Sequence, residues 1–447
     1  MTFNEILGLI MLFCMVSVIF IGFSISFTLL FIAIVFGAIG LGVDRTFYLT
    51  YLQVWGSMKD DIVPAVPMFI FMGYMCEQAG LMDRLFATFR QLFAPLRGSL
   101  YLAVLLTATL FAMATGIVGA AVSVLGIMAG GMMMRAGYDS EMSAGAIAAG
   151  GTLGILIPPS VMLLVMGPVL GVPVNKLYAA AFGPGFLLAF LYIAYCLVRS
   201  FINPKLGPPL PKEERMGYNF KLFKEVVISI LPLLLLIGST LGTILTGLAT
   251  ATEAAACGAL GSMILSALYG KLTIPAIKGT ARSTLLTSAM VLLLVMASNI
   301  FGAVFVQLGS AGLIETLLND LPLPGMGKFL LVMFIVFLLG WPFEWPVIIL
   351  VFVPIFIPVI QKLDVGLSKG ELMLWFGATL AVNLQTAFLS PPVAMSAYYL
   401  KTVMPAWNLA LIFRGMAQFM VIQVVALAMI IGFPAISLWL PRMLYQN

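Results

Sequence analysis

From Ile6 to Val43 the chain runs without a single Asp, Glu, Lys or Arg. As one helix this stretch would be roughly 57 Å long, at ~1.5 Å per residue, against a bilayer hydrocarbon core of about 30 Å. It therefore reads as two spans meeting near Gly22-Phe23-Ser24. It is also longer than the apolar core of a cleavable signal, roughly 7–15 residues, and Met1–Glu5 carries no Lys or Arg before it.

The rest of the chain keeps this character. Only 9% of its 447 residues are charged and 62% are hydrophobic, whereas a soluble domain has about 25% charged residues with which to cover itself. The bilayer is the solvent for most of the molecule, and an all-α integral membrane fold follows. There is no histidine, which removes imidazole acid–base chemistry and most zinc sites. Cys14, Cys76, Cys196 and Cys257 lie far apart without metal-ligand spacing and read as small apolar helix residues.

Two signals disclose an internal duplication. Ala79-Gly80-Leu81-Met82-Asp83 recurs 232 residues on as Ala311-Gly312-Leu313-Ile314-Glu315, and Pro158-Pro159 recurs 233 residues on as Pro391-Pro392. The expected halves are residues 1–200 and 223–447, joined by a proline-rich cytoplasmic linker at 201–222. In the first half, spans are read at 5–22, 24–42 and 62–79, then an amphipathic segment at 81–96. An apolar stretch at 99–134, broken at Ala114-Thr115-Gly116, follows. A span at 141–170 broken at Pro158-Pro159 and a span at 177–199 complete the half. The second half reads 224–247, 249–269, 283–306, an amphipathic 311–320, a broken stretch at 327–360, a Pro-Pro-broken span at 371–404, and a last span at about 408–440.

Each broken apolar stretch is either two short spans or one re-entrant hairpin, and charge decides between them. With hairpins, each half crosses five times and the halves are inverted. Fourteen Lys and Arg then fall on one side, in 81–98, 135–141, 199–224, 271–282 and 401–407; six fall opposite, in 44–61, 171–176, 307–328 and 361–371. That is the cytoplasmic bias. The expected architecture is two inverted repeats with about ten spans, two re-entrant helical hairpins and two broken helices. Inverted repeats with broken helices typify secondary transporters, which bind substrate near the midplane.

Three constellations carry chemistry. In Gly150–Ser160, prolines free carbonyls and glycines admit a ligand to the main chain, as a desolvated sodium ion needs; Gly150, Thr152, Gly154 and Pro158 are the candidates. The bland alternative is a kinked helix packed through small residues. The repeat partner of this segment supplies Asn383, Thr386 and Pro391. At the hairpin tips, Thr115 and Gly116 offer a hydroxyl and flexible backbone, and Glu344 places a carboxylate among apolar half-helices, where such a group usually faces a cavity and either binds sodium or carries a proton; an interfacial tip with aromatic anchors is the alternative. Glu253, after Thr250 and Thr252, reads as a helix-capping charge. Arg135, Asp139 and Glu141 read as a solvated connection.

With these segments in view, the chain resembles the large permease subunit of tripartite ATP-independent periplasmic (TRAP) transporters, the DctM type within the ion-transporter superfamily. The residues that carry the resemblance are Ala114-Thr115-Gly116, Gly150–Pro159, Thr252–Ala256, Val382–Pro392 and Phe433–Pro441. It extends over essentially the whole chain. It implies sodium-driven import of an organic acid by an elevator-type transport domain, at the bacterial inner membrane. A small four-helix membrane subunit and a periplasmic substrate-binding protein are implied as partners, with sodium as coupling ion and no other cofactor. Its sodium sites would fall on Thr115, Gly116, Gly150, Thr152, Gly154, Glu344, Asn383 and Thr386. The chain departs from the pattern at Glu344, where Asp is general, at Pro342 and Pro346 beside it, and at Ala251, where proline is typical. A standalone sodium–carboxylate symporter or an ion antiporter of the same superfamily is the alternative within transport. A membrane enzyme would need histidines, which the chain lacks, or paired acids at membrane depth, of which none is read here.

Overall fold

The structure is a computed structural model that describes residues 2–116, 118–391 and 393–445; among these every regular element is helical. The long uncharged run divides where expected. Helix α1 (Phe3–Ile21) opens on a Thr2–Glu5 capping box and ends at Gly22 in left-handed geometry, φ 103°, and α2 (Ile25–Leu41) follows.

Helix α3 (Val43–Lys59) is a departure from the expected connection at 44–61. It exposes Phe47, Tyr48, Tyr51 and Trp55, and Lys59 lies over the Trp55 ring. Thr46 is its buried side chain, in close approach to Gly37 of α2. Polar and aromatic residues alternate here in a pattern too short of apolar side chains to register as a span.

Helices α4 (Ala65–Gln78) and α5 (Leu81–Leu92) lead to the first broken stretch. Its arms are α6 (Ser99–Thr115), then α7 (Val118–Leu125), a π turn at Gly126–Gly130 and α8 (Gly131–Arg135). Its two ends meet. The Leu100 N–H donates to the Tyr138 hydroxyl at 3.2 Å, and the Tyr101 and Tyr138 rings pack edge to face at 4.9 Å. The two arms of the stretch therefore run back on one another.

Next come α9 (Ser140–Thr152), capped by Asp139, a tight turn at Leu153–Ile155, α10 (Val161–Leu170), capped by Ser160, and α11 (Val174–Ile202). Asp139 and Glu141 thus do more than sit in a loop: Glu141 also pairs with Arg414 at 3.6 Å. The linker is stitched to the hairpin base, since the Gly98 and Asp139 N–H groups donate to the Gly207 and Leu206 carbonyls at 2.8 and 3.1 Å.

The same order recurs. After α12 (Phe220–Ile237) and the short α13 (Thr243–Leu245) come α14 (Ala251–Leu268), α15 (Ile274–Gln307) and α16 (Ser310–Asn319). Glu253 closes a reciprocal capping box with Thr250, the structural role expected of it. The second broken stretch is α17 (Gly325–Leu339), α18 (Trp345–Val347), a π turn at Ile348–Phe352 and α19 (Val353–Gln361). It too returns: a Cβ on Gly325 would stand 3.0 Å from the Asp364 carbonyl. Helix α20 (Lys369–Leu389) is interrupted before α21 (Met395–Val403). The expected last span is two elements, α22 (Leu409–Gly432) and α23 (Ala435–Tyr445), because Pro434 follows the end of the first.

Among the described residues eight helices are long and apolar enough to cross a membrane, one of them Val118–Arg135. Of these eight, α20 is the most enclosed, with 94% of its most apolar segment inside the protein. Packing sorts the helices into two groups. Helices α2, α4, α14 and α15 pack on one another; α6, α7, α9, α11, α20, α21 and α22 form a second set around α9 and α20. Gly145 of α9 and Gly415 of α22 let two backbones touch: a Cβ on Gly415 would lie 2.0 Å from the Glu141 carbonyl oxygen.

Candidate functional site

Both hairpin tips and both helix breaks converge on one cavity of about 160 Å³. Gly116, Val118 and Gly119 come from the first tip, Glu344 and Trp345 from the second. Ile155 and Val161 flank the first break, and Phe388 and Met395 the second. The remaining wall belongs to the other group of helices: Ile70 of α4 and Thr287, Met290 and Val291 of α15.

Each contribution has a local cause. Gly116 ends α6 at φ 61°, a backbone that only glycine adopts freely. Glu344 occupies the extended residue before α18, after helix α17 has stopped at Leu339 short of Pro342. Its side chain is half-buried. Val161 and Met395 are the first residues of α10 and α21, so two helix N-termini, the positive ends of their dipoles, face the cavity. The ring of Tyr399 closes one side, packed on Gly119, where a Cβ would be 2.9 Å from the ring. On the α4–α15 wall the Thr287 and Tyr74 hydroxyls are hydrogen-bonded at 2.9 Å.

Of the residues marked from sequence, Gly116 and Glu344 line this cavity. Thr115 is the last residue of α6; its side chain lies outside the described residues, as does Pro392. The others stand behind the lining. Gly150 packs α9 on α6, where an added Cβ would meet Ala108 at 3.1 Å. Gly154 and Pro158 are buried in the first break, and Pro391 is exposed in the turn of the second. Asn383 donates to the Met333 carbonyl at 2.7 Å, tying α20 to the hairpin arm α17.

The two threonines are matched. Thr152 donates to Ala149 O at 2.8 Å and Thr386 to Asn383 O at 2.7 Å. Each hydroxyl sits in the last turn before a break, its proton directed back into the helix and its lone pairs left to accept. A cation needs that polarity.

Sequence reasoning passed over several residues that the fold brings here. Tyr399 and Thr287 carried no motif. Near the second break, Gln385, Ser390 and Ser396 are buried with side-chain polar atoms that have no partner among the described residues, and so does the Asn383 amide oxygen. Buried polar atoms are normally satisfied by protein, water or an ion. Gln385 was legible in principle, lying 233 residues after Thr152.

The family model described as "Tripartite ATP-independent periplasmic transporter, DctM component" matches residues 9–436. A sialic acid TRAP transporter large permease protein of Vibrio cholerae is 28% identical over 449 residues, covering 97% of this chain and 98% of that protein. An ectoine TRAP transporter large permease protein of Halomonas elongata is 27% identical, covering 98% and 99%. Among solved structures, the YdaH transporter of Alcanivorax borkumensis aligns with a TM-score of 0.60 over 95% of this chain and 97% of that one. At 14% identity that likeness is one of fold.

Proposed function

Because the chain belongs to the DctM component family of tripartite ATP-independent periplasmic transporters, we propose that it imports an organic acid together with sodium across the inner membrane, by an elevator movement. It is the large permease subunit, an integral protein of that membrane. A small four-helix membrane subunit and a periplasmic substrate-binding protein complete the system in this reading. The halves 1–200 and 223–447 are read as inverted repeats about the linker.

The observation that carries the reading is the convergence of four interruptions on one cavity. Irregular backbone at membrane depth is tolerated only inside protein or along a cavity, and here all four interruptions share one. The α10 and α21 N-termini favour an anion. Glu344 supplies a carboxylate beside it, and among the described lining residues there is no Lys or Arg to neutralise it. An anionic substrate and an anionic side chain share this space only with a cation beside them or a proton on Glu344; we assign the cation, sodium, bound together with the substrate. Gly116 carbonyl oxygen and the hydroxyls of Thr152 and Thr386 are the further sodium donors we assign, with Asn383 at the second break. The cavity is bounded on one side by α4 and α15 and otherwise by the hairpins and broken helices. Sliding the second group along the first would carry the loaded site across without opening a continuous pore.

The test is uptake in proteoliposomes by the permease with its small subunit, using labelled organic acids with or without a sodium gradient and binding protein. Uptake is expected to require both, and Glu344→Gln is expected to raise the sodium concentration for half-maximal uptake at least tenfold. Uptake driven by a proton gradient alone would overturn the sodium assignment. Sodium-driven uptake indifferent to the binding protein would overturn the tripartite one.

A further inference from the structure

The cavity between the four breaks has walls of carbon. Val161, Met290, Val291, Trp345, Phe388 and Met395 dominate it. Its polar side chains are Glu344, Thr287 and Tyr399, and of these the Thr287 hydroxyl is already engaged with Tyr74. No Lys, Arg, Asn, Gln or Ser is among the described lining residues. Resting on the permease reading above, we propose that the substrate is a compact monocarboxylate with an apolar body, aromatic or branched aliphatic, and that sugar acids and dicarboxylates are rejected.

Three features lead there. First, one carboxylate can be met, by the N-termini of α10 and α21 and by a sodium ion held at Glu344; a second carboxylate would face carbon or Glu344 itself. Second, each hydroxyl or amide of a polyhydroxylated acid would give up its water bonds without replacement. A site rejects unpaired polar groups far more strongly than it tells methylenes apart. Third, the space between the lining residues is small, about 160 Å³. A ring or branched chain fills it, and the Trp345 and Phe388 rings offer faces and edges to pack on.

Binding to the permease itself must be measured, because a binding protein would impose its own selection during uptake. The purified permease with its small subunit in detergent is titrated with benzoate, succinate and N-acetylneuraminate, in sodium chloride and in choline chloride at equal ionic strength. Tryptophan fluorescence is the readout, Trp345 being in the wall and Trp345→Phe its control. Benzoate is expected to bind in sodium with a Kd at least tenfold below those of the other two. Val291→Thr, which keeps the side chain's shape and adds a hydroxyl, is expected to narrow that margin at least threefold. Succinate or N-acetylneuraminate binding as tightly as benzoate would overturn the apolar-body inference while leaving the permease reading intact. Benzoate binding that ignores both sodium and Val291→Thr would be partitioning elsewhere and would overturn it too. Failure of all three acids to bind in sodium would overturn both this inference and the sodium-coupled organic-acid reading beneath it.

Discussion

Gly151 stands in the last turn of α9, and across the helix contact it faces both a side-chain methyl and the backbone of α7. A Cβ placed on it would be 2.3 Å from a Val122 methyl, 3.0 Å from the Val122 nitrogen and 3.1 Å from its Cα. The methyl can rotate, but the backbone must retreat by a few tenths of an ångström, in a region where Val122 is fully buried. Overpacking of this kind costs about 1–3 kcal/mol. With about 2.1 cal/mol/K of unfolding entropy per residue, Gly151→Ala should lower the melting temperature of the purified protein by about 1–3 °C. The larger effect should be functional. Helix α7 begins with Val118 and Gly119, which line the cavity, so a shift at Val122 passes one turn to the hairpin tip. Positioning errors of ~1 Å cost about a hundredfold at a reacting centre; for a shift of a few tenths we expect roughly a three- to tenfold rise in the sodium concentration for half-maximal uptake. Gly150→Ala is the control, since its Cβ meets only the Ala108 and Leu105 side chains. Wild-type melting and sodium dependence in Gly151→Ala, or a larger defect in Gly150→Ala, would refute the argument.

Gly415→Ala should be the more damaging change to stability, because its Cβ would fall 2.0 Å from the Glu141 carbonyl oxygen and only separation of α9 from α22 relieves that. A thermal melt unchanged within a degree would show that the crossing is looser than described. Asn383→Ala removes the donor to the Met333 carbonyl, which keeps its own helix bond within α17, and should cost about 0.5–1.5 kcal/mol, the net worth of one hydrogen bond. Limited proteolysis should then find the α17 hairpin arm more open, and an unchanged digestion pattern would count against the tie.

How far the sequence disclosed this molecule depends on the kind of signal. Absence of charge is a strong one, and the breaks at Gly22 and Gly116 and the interruptions at Pro158 and Pro391 follow from it together with glycine and proline. Helix α3 was missed because its faces mix aromatic, polar and charged residues, as suits a helix left largely uncovered. The division of the last span at Pro434 was missed because hydropathy continues across it. At the site, tips and breaks were readable as elements, since their chemistry requires particular residues at particular spacings. The wall contributed by Ile70, Thr287, Met290 and Val291 was not, because ordinary span residues become lining only when two groups of helices meet. Orphaned polar atoms at Gln385 and Ser396 are likewise a property of packing.

The cavity lining draws on residues from Ile70 to Tyr399, and this bears on how the protein is made. Synthesis proceeds from the N-terminus, so the first tip and the first break enter the membrane long before their counterparts exist. Until α21 has been inserted the lining is incomplete, and a ligand that needed all of it could not lend its binding energy to the partly made chain. The first half must therefore hold its hairpin and broken helix by packing and hydrogen bonds alone. The contacts at its base, Tyr138 on Leu100 and Gly207 on Gly98, are all available once the linker has emerged. A ligand of the complete lining can stabilise this protein only at the end of its assembly, as the last turn of the site falls into place.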